Sequence, residues 1–253
     1  MNARELAGSV ALVTGGLRGI GRGIAHGLAG MGAAVAVVDL DPPDSELVRT
    51  ETAALTGGTG RAAYVRADVA DAEAVASAVA QVTGELGPVD VLVNNAGIFT
   101  EASVATMDVA DWDRVINVNL RGPFLFTRAV LPSMIERGSG RIINVASQLA
   151  LLGGADVAHY SASKGGLIAF TKAVAREVAG SGVLVNAIAP GPVETDLLAG
   201  ETEQWRNRKL AELPIGRFAT VEEIVPSALL LAGPGGAYFV GATIGPNGGD
   251  VMP

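Results

Sequence analysis

Three side chains carry the clearest chemistry in this sequence: Ser147, Tyr160 and Lys164. The Tyr-x-x-x-Lys spacing places a phenol and an ammonium one turn apart on the same helix face. A cation beside a phenol stabilises the phenolate and lowers its pKa. A tyrosine that exchanges its proton near neutral pH serves as acid and base for alcohol–ketone chemistry. Ser147, upstream across a loop, offers a hydroxyl to the same reacting oxygen. The same spacing also describes an ordinary surface pair, so the surrounding elements must decide.

Those elements alternate. Short runs rich in β-branched residues occupy Val10–Val13, Ala34–Val38, Ala62–Val65, Val89–Val93, Arg141–Val145 and Leu184–Ile188, with a weaker one at Tyr238–Ile244. Between them, helical spacing covers Gly19–Gly30, Asp44–Leu55, Asp71–Leu86, Asp111–Arg137, Val157–Gly180 and Val221–Ala232. Continuous apolar strands separated by helices predict a parallel sheet covered on both faces, the doubly wound α/β pattern. No composition break marks a linker, so residues 1–253 read as one domain. The long connection from Pro190 to Phe218 is rich in Pro, Gly and charge, and its 193–218 stretch reads as a lid. The stretch from Gly245 to the end reads as an irregular tail.

The first strand runs into Thr14-Gly15-Gly16-Leu17-Arg18-Gly19-Ile20-Gly21. A glycine-rich strand-to-helix turn lets backbone N–H groups approach a pyrophosphate at a helix N-terminus. The Gly-x-x-x-Gly-x-Gly spacing differs from the commoner dinucleotide fingerprint and from a P-loop. A tight turn without a ligand would also use glycine. The second strand ends at Asp39, whose carboxylate can accept both adenosine ribose hydroxyls and repel a 2′-phosphate. That favours NAD(H) over NADP(H). Arg18 points the other way, as a cation for a 2′-phosphate, and Asp39 is given the greater weight.

Taken together, these residues resemble the short-chain dehydrogenases/reductases, in the subgroup that includes 3-oxoacyl-carrier-protein reductases and sugar or polyol dehydrogenases. The resemblance runs from Val10 to Gly249, with the motifs in order. It implies a single Rossmann-type domain with about seven strands. It also implies that Gly15, Arg18, Gly19, Ile20 and Gly21 form the cofactor loop, and that Asp68 and Val69 hold the adenine. Asn95, Ala96 and Gly97, behind Asn94, line the cofactor site. Pro190, Gly191, Val193 and Thr195 contact the nicotinamide end. Asn119, Ser147, Tyr160 and Lys164 match the catalytic set, with Lys164 also on the nicotinamide ribose and Asn119 supporting a water relay. No metal is required. The family's usual tetramer, or a dimer, is implied as well. Near the end the chain departs from the family: Pro246-Asn247-Gly248-Gly249 stands where many members have Val-Asp-Gly-Gly.

Composition narrows the partners. The net charge of −8 and the lack of a basic stripe argue against nucleic acid. No apolar run reaches the ~20 residues of a membrane helix, and Met1–Gly8 lacks the pattern of a signal peptide. There is no cysteine. A cytoplasmic enzyme acting on a small ketone or secondary alcohol is the expectation. Gln148, Leu149 and Val157, with Trp205 in the lid, are the expected substrate contacts. The lid charges read as a solvated helix face. His26 reads as an ordinary helix residue, and His159 points about 100° away from Tyr160. An NADPH-dependent 3-oxoacyl-carrier-protein reductase and a non-catalytic dinucleotide sensor are the competing readings.

Overall fold

The computed structural model describes residues 5–252; of the N-terminal stretch read for a signal, residues 1–4 lie outside them. Seven parallel strands form one sheet: β1 (Val10–Thr14), β2 (Ala34–Asp39), β3 (Ala62–Arg66), β4 (Val91–Asn94), β5 (Gly140–Val145), β6 (Val183–Ile188) and β7 (Thr243–Ile244). Their order is β3-β2-β1-β4-β5-β6-β7. The order reverses between β1 and β4, and a doubly wound sheet opens a crevice at that switch point.

Strand alternation sorts the core into two layers. Leu12, Ala36, Val38 and Leu92 face a cluster shared with α3 (Ala72–Leu86), α5 (Gly122–Arg137) and α7 (Ala158–Val178). Ala11, Val13, Val35 and Val93 face another, shared with α1 (Gly19–Gly30), α2 (Glu46–Thr59) and α10 (Val221–Ala232). Burying both faces explains why the strands read as nearly unbroken apolar runs.

Several helix starts carry their own caps. Ser45 Oγ accepts from Val48 N and Asp71 Oδ1 from Glu73 N. Thr220 and Glu223 close a capping box on α10. Helix α1 begins behind Arg18 with no side-chain cap, leaving its first-turn N–H groups turned to the crevice.

Several boundaries differ from the sequence expectation. Helix α2 starts only after its Ser45 cap, and β4 starts at Val91 because Asp90 turns its carboxylate onto Val10 N. The Asp111–Arg137 stretch is not one regular helix: α4 (Val109–Ile116), capped by Asp108, leads through a π-helical turn at Asn117–Arg121 into α5. That wider turn carries Asn119 into the interior, where it is fully buried. The last strand shrinks to two residues, because Gly241 adopts φ +65° and breaks the extended run. Tyr238, expected in that strand, is 99% exposed.

A buried amide ladder joins the strands beneath the crevice. Asn94 Nδ2 donates to Asn144 Oδ1 at 2.8 Å, and Asn144 Nδ2 donates to Thr171 Oγ1 at 2.8 Å. All three side chains are at most 2% exposed. Asn144→Ala should therefore cost about 2–3 kcal/mol, since it strands a donor on Asn94 and an acceptor on Thr171. Urea unfolding of the two proteins measures the loss.

Candidate active site

The crevice is a cleft of about 470 Å³ above the C-terminal ends of β1, β4 and β5, within the size range of small-molecule sites. One wall is the glycine loop. Gly15 (φ +63°) and Gly19 (φ +53°) take left-handed conformations. A Cβ on Gly15 would lie 2.8 Å from the Ala96 backbone. Gly21 does not line the cleft; a Cβ there would sit 2.1 Å from Gly15 O, so its role is close packing. Asn95 rivets the loop by donating from Nδ2 to Gly15 O (2.9 Å) and Thr14 O (3.1 Å). Thr14 Oγ1 accepts in return from Asn95 N and Ala96 N. Thr14, which opens the loop segment in the sequence, does not line the cleft and instead braces the Asn95 turn.

The adenosine end is more acidic than expected. Asp39 lines the cleft and accepts from Leu17 N (3.2 Å) and Leu40 N (2.9 Å). Arg18 is not free: both its terminal nitrogens fork onto Asp41, at 2.7 and 2.8 Å. Asp41 was missed because nothing in the sequence marks a residue just past a strand as a partner for the glycine loop. Asp68 and Val69 lie outside the cleft lining. Asp68 Oδ1 closes a turn onto Ala70 N, and Val69 is buried against Gly122.

At the other end stand the three residues of the opening motif. Ser147 and Tyr160 line the cleft together, and Ser147 favours the ionised phenol. Lys164 Nζ lies 5.8 Å from the centre of the Tyr160 ring and donates to Val145 O at 2.8 Å. Phe99 packs edge-on against the same ring, with centroids 5.0 Å apart. The sequence expectation of a lowered Tyr160 pKa is reversed here. Burial pushes the phenol up, and Ser147 only opposes it. Burial likewise pulls the Lys164 ammonium down to about 8. The physical reason is that both groups leave water together, and each favours its neutral form in a dry site.

Asn119 is committed elsewhere than expected. Its Oδ1 accepts from Ile98 N at 2.8 Å, and its Nδ2 donates to Ile98 O and Ser163 Oγ. It thus pins the strand end beside Lys164. A Cβ on Gly97 would come within 3.4 Å of Lys164 Nζ and 3.3 Å of Asn119 Oδ1, so glycine keeps that gap open. His159 is buried on Thr100 and does not line the cleft, and His26 pairs with Glu51.

Pro190, Gly191, Val193 and Thr195 line the cleft, with Thr195 facing Gly19. Gln148, Leu149 and Trp205 also line the cleft, but Val157 is buried beneath Gly154, outside it. The lid contains α8 (Asp196–Ala199) and α9 (Glu203–Glu212), with a small apolar cluster of Leu198, Leu213 and Phe218 under Trp205. The side chain of Leu197 lies outside the described residues. Lid charges are not merely solvated: Lys209 is nearly buried against Asp250.

A family model for short chain dehydrogenases matches residues 9–206. The chain belongs to that family. The 3-oxoacyl-acyl-carrier-protein reductase FabG of Aquifex aeolicus is 38% identical, with 97% of this chain and 98% of the relative covered. Its Vibrio cholerae counterpart is 40% identical, over 98% and 99%. Among solved structures, a blue fluorescent protein from a metagenomic library, in complex with NADPH, has a TM-score of 0.91 at 38% identity, covering 98% of this chain and 100% of its own. A candidate gluconate dehydrogenase from Agrobacterium tumefaciens has a TM-score of 0.92 at 35% identity, covering 98% of each chain. This short-chain dehydrogenase is a nicotinamide-dinucleotide oxidoreductase. Its glycine cradle and uncapped α1 fit a pyrophosphate.

Lys164 is held in the folded state with a pKa of about 8, against an ordinary 10.5. Between those values the unfolded chain binds the extra proton, so this residue's contribution to stability improves as pH rises through the window. At pH 7 its burial opposes folding. Lys164→Met should raise stability by about 1–2 kcal/mol at pH 7 while abolishing turnover. Thermal melts at pH 7 and pH 10 check this, because the gain should shrink at the higher pH.

Proposed function

We propose that this enzyme interconverts a ketone and a secondary alcohol by a Ser-Tyr-Lys mechanism, with NAD(H) favoured. The observation that carries the reading is the convergence of Ser147, Tyr160 and Lys164 on one cleft, with Lys164 Nζ over the Tyr160 ring. The nicotinamide, when bound, supplies or accepts the hydride. Tyr160 gives its phenolic proton to the carbonyl oxygen during reduction and takes it back during oxidation. Ser147 holds that oxygen by a second hydrogen bond. Lys164 carries positive charge beside the phenol and holds the nicotinamide ribose. Asn119 positions this group by fixing Ile98, and the proton is resupplied through Lys164.

The cofactor preference rests on two carboxylates. Asp39 lines the cleft and would accept the adenosine ribose hydroxyls, and Asp41 already occupies the guanidinium that a 2′-phosphate would need. Two similar solved structures hold NADPH or NADP, so side-by-side titration is the direct test. Fluorescence titration should give tighter binding of NADH than NADPH, and Asp39→Ala should shift the ratio towards NADPH by about tenfold or more. A wild-type preference for NADPH would refute this assignment.

A second reading is a reductase of carrier-linked 3-oxoacyl groups. The near-full-length likeness to 3-oxoacyl-acyl-carrier-protein reductases favours it. The net charge of −8 opposes docking to an acidic carrier. Assay of a 3-oxoacyl thioester beside free ketones separates the two. Assembly as a homotetramer fits the exposed Phe124 on α5 and Tyr238 and Val240 before β7.

Tyr160→Phe should abolish turnover in both directions and leave dinucleotide affinity within about twofold. Loss of binding in that variant would contradict the assigned role. Because burial raises the Tyr160 pKa, oxidation should accelerate with rising pH as the phenolate forms, while reduction stays flat through neutrality. Parallel pH–rate profiles of the two directions check the sign.

A further inference from the structure

The tail after β7 makes a buried polar contact that no motif announced. One oxygen of Asp250, Oδ2, accepts from Lys209 Nζ at 2.6 Å and from Gln148 Nε2 at 2.5 Å. The carboxylate side chain is 8% exposed and that of Lys209 16%. Lys209 lies on the lid helix α9, and Gln148 directly follows Ser147. Both line the cleft. Asp250 therefore joins the lid to the loop behind the reacting oxygen's hydrogen-bond donor, across 102 residues of chain.

The tail is shaped to deliver this carboxylate. Asn247 Oδ1 accepts from Gly249 N at 2.9 Å, and Asn247 Nδ2 donates to Val251 O at 3.0 Å. Gly248 (φ +66°) and Gly249 (φ +88°) follow in left-handed conformations. Ile215 N, at the end of the lid, donates to Gly248 O. The Pro246-Asn247 departure from the family pattern thus sits in the turn that presents Asp250.

The contact also fixes a polarity. A carboxylate accepts only, so it holds the Gln148 amide by its NH₂ group. Oε1 is then the atom left over, and it is buried with no hydrogen-bond partner in the structure. Gln148 itself is 4% exposed. A buried acceptor without a donor is costly until a ligand supplies one. Lys209 is neutralised by Asp250 and Glu212, so it does not serve as a free clamp for an anion.

We infer that Asp250 is a positioning residue that docks the lid onto the Ser147 loop and turns Gln148 to present an acceptor to substrate. The favoured substrate class is then a ketone with a hydroxyl donor beside the reacting carbon. This inference rests on the proposed ketone chemistry, and the test separates the two. With 3-hydroxy-2-butanone and 2-butanone as matched probes, the wild-type kcat/KM should favour the hydroxyketone by about five- to tenfold, the worth of one hydrogen bond. Asp250→Ala and Gln148→Leu should each bring that ratio close to one, and Asp250→Glu should restore part of it. A ratio unchanged in both variants overturns the specificity role. Turnover of neither ketone overturns the ketone reading itself, and the specificity with it. Hydrogen exchange needs no substrate. Asp250→Ala should speed exchange in both α9 and α6 (Leu149–Leu152) while the central strands stay protected. Faster exchange confined to the tail overturns the docking role.

Discussion

The burial of Lys164 is the constraint on which the cleft depends. An ammonium 4% exposed must find a hydrogen bond, and Val145 O supplies it at the end of β5. That contact ties α7 to the end of β5, with Tyr160 one helical turn away. The space for the ammonium exists because Gly97 has no side chain and because Asn119 holds Ile98 back. Tyr160 then completes the enclosure with Phe99 against its ring edge. Two neighbouring ionisable groups in a dry site each lean to their neutral forms. The phenol is thereby kept as a proton donor, and the lysine sits near the threshold of losing its charge.

The rest of the fold supplies rigidity to that arrangement. The crevice opens where strand order reverses, and the turns beyond β1 and β4 must face each other across it. They are stitched together by Asn95 and Thr14 above the strands, and by the Asn94–Asn144–Thr171 ladder within them. Buried side-chain hydrogen bonds of this kind resist displacement, because an amide pulled from its partner is left unpaired away from water. The lid is held by a small apolar cluster of its own. The tail reaches it through Asp250, so a segment without regular structure ties the lid to the loop after β5.

Much of this was legible in the residues alone, for local reasons. Strand and helix periods separate cleanly in an α/β chain whose strands are buried on both faces, and six of the seven strands fall within one or two residues of the expected runs. The glycine loop was legible because glycine takes the left-handed φ values of Gly15 and Gly19 at little cost. Ser147, Tyr160 and Lys164 were legible from one helical turn and a preceding strand end. The resemblance put Asp68 and Val69 at the adenine, and Val157 was read as the end of a substrate-facing segment; none of the three lines the cleft.

What the tertiary structure alone decided involves partners distant in sequence or environments set by burial. The Arg18–Asp41 fork joins residues 23 apart, and Asp250 joins Lys209 to Gln148. No period or motif records such pairs, because a hydrogen bond between loops depends on how the intervening elements pack. The π-helical turn at Asn117–Arg121 is equally invisible to a 3.6-residue period. The direction of the Tyr160 pKa belongs here too. Spacing identified a cation beside a phenol, which alone favours the phenolate. Only the folded chain added the desolvation that outweighs it. The sequence by itself determined which groups meet; the tertiary structure decided how dry their meeting place is, and hence which of them holds the proton.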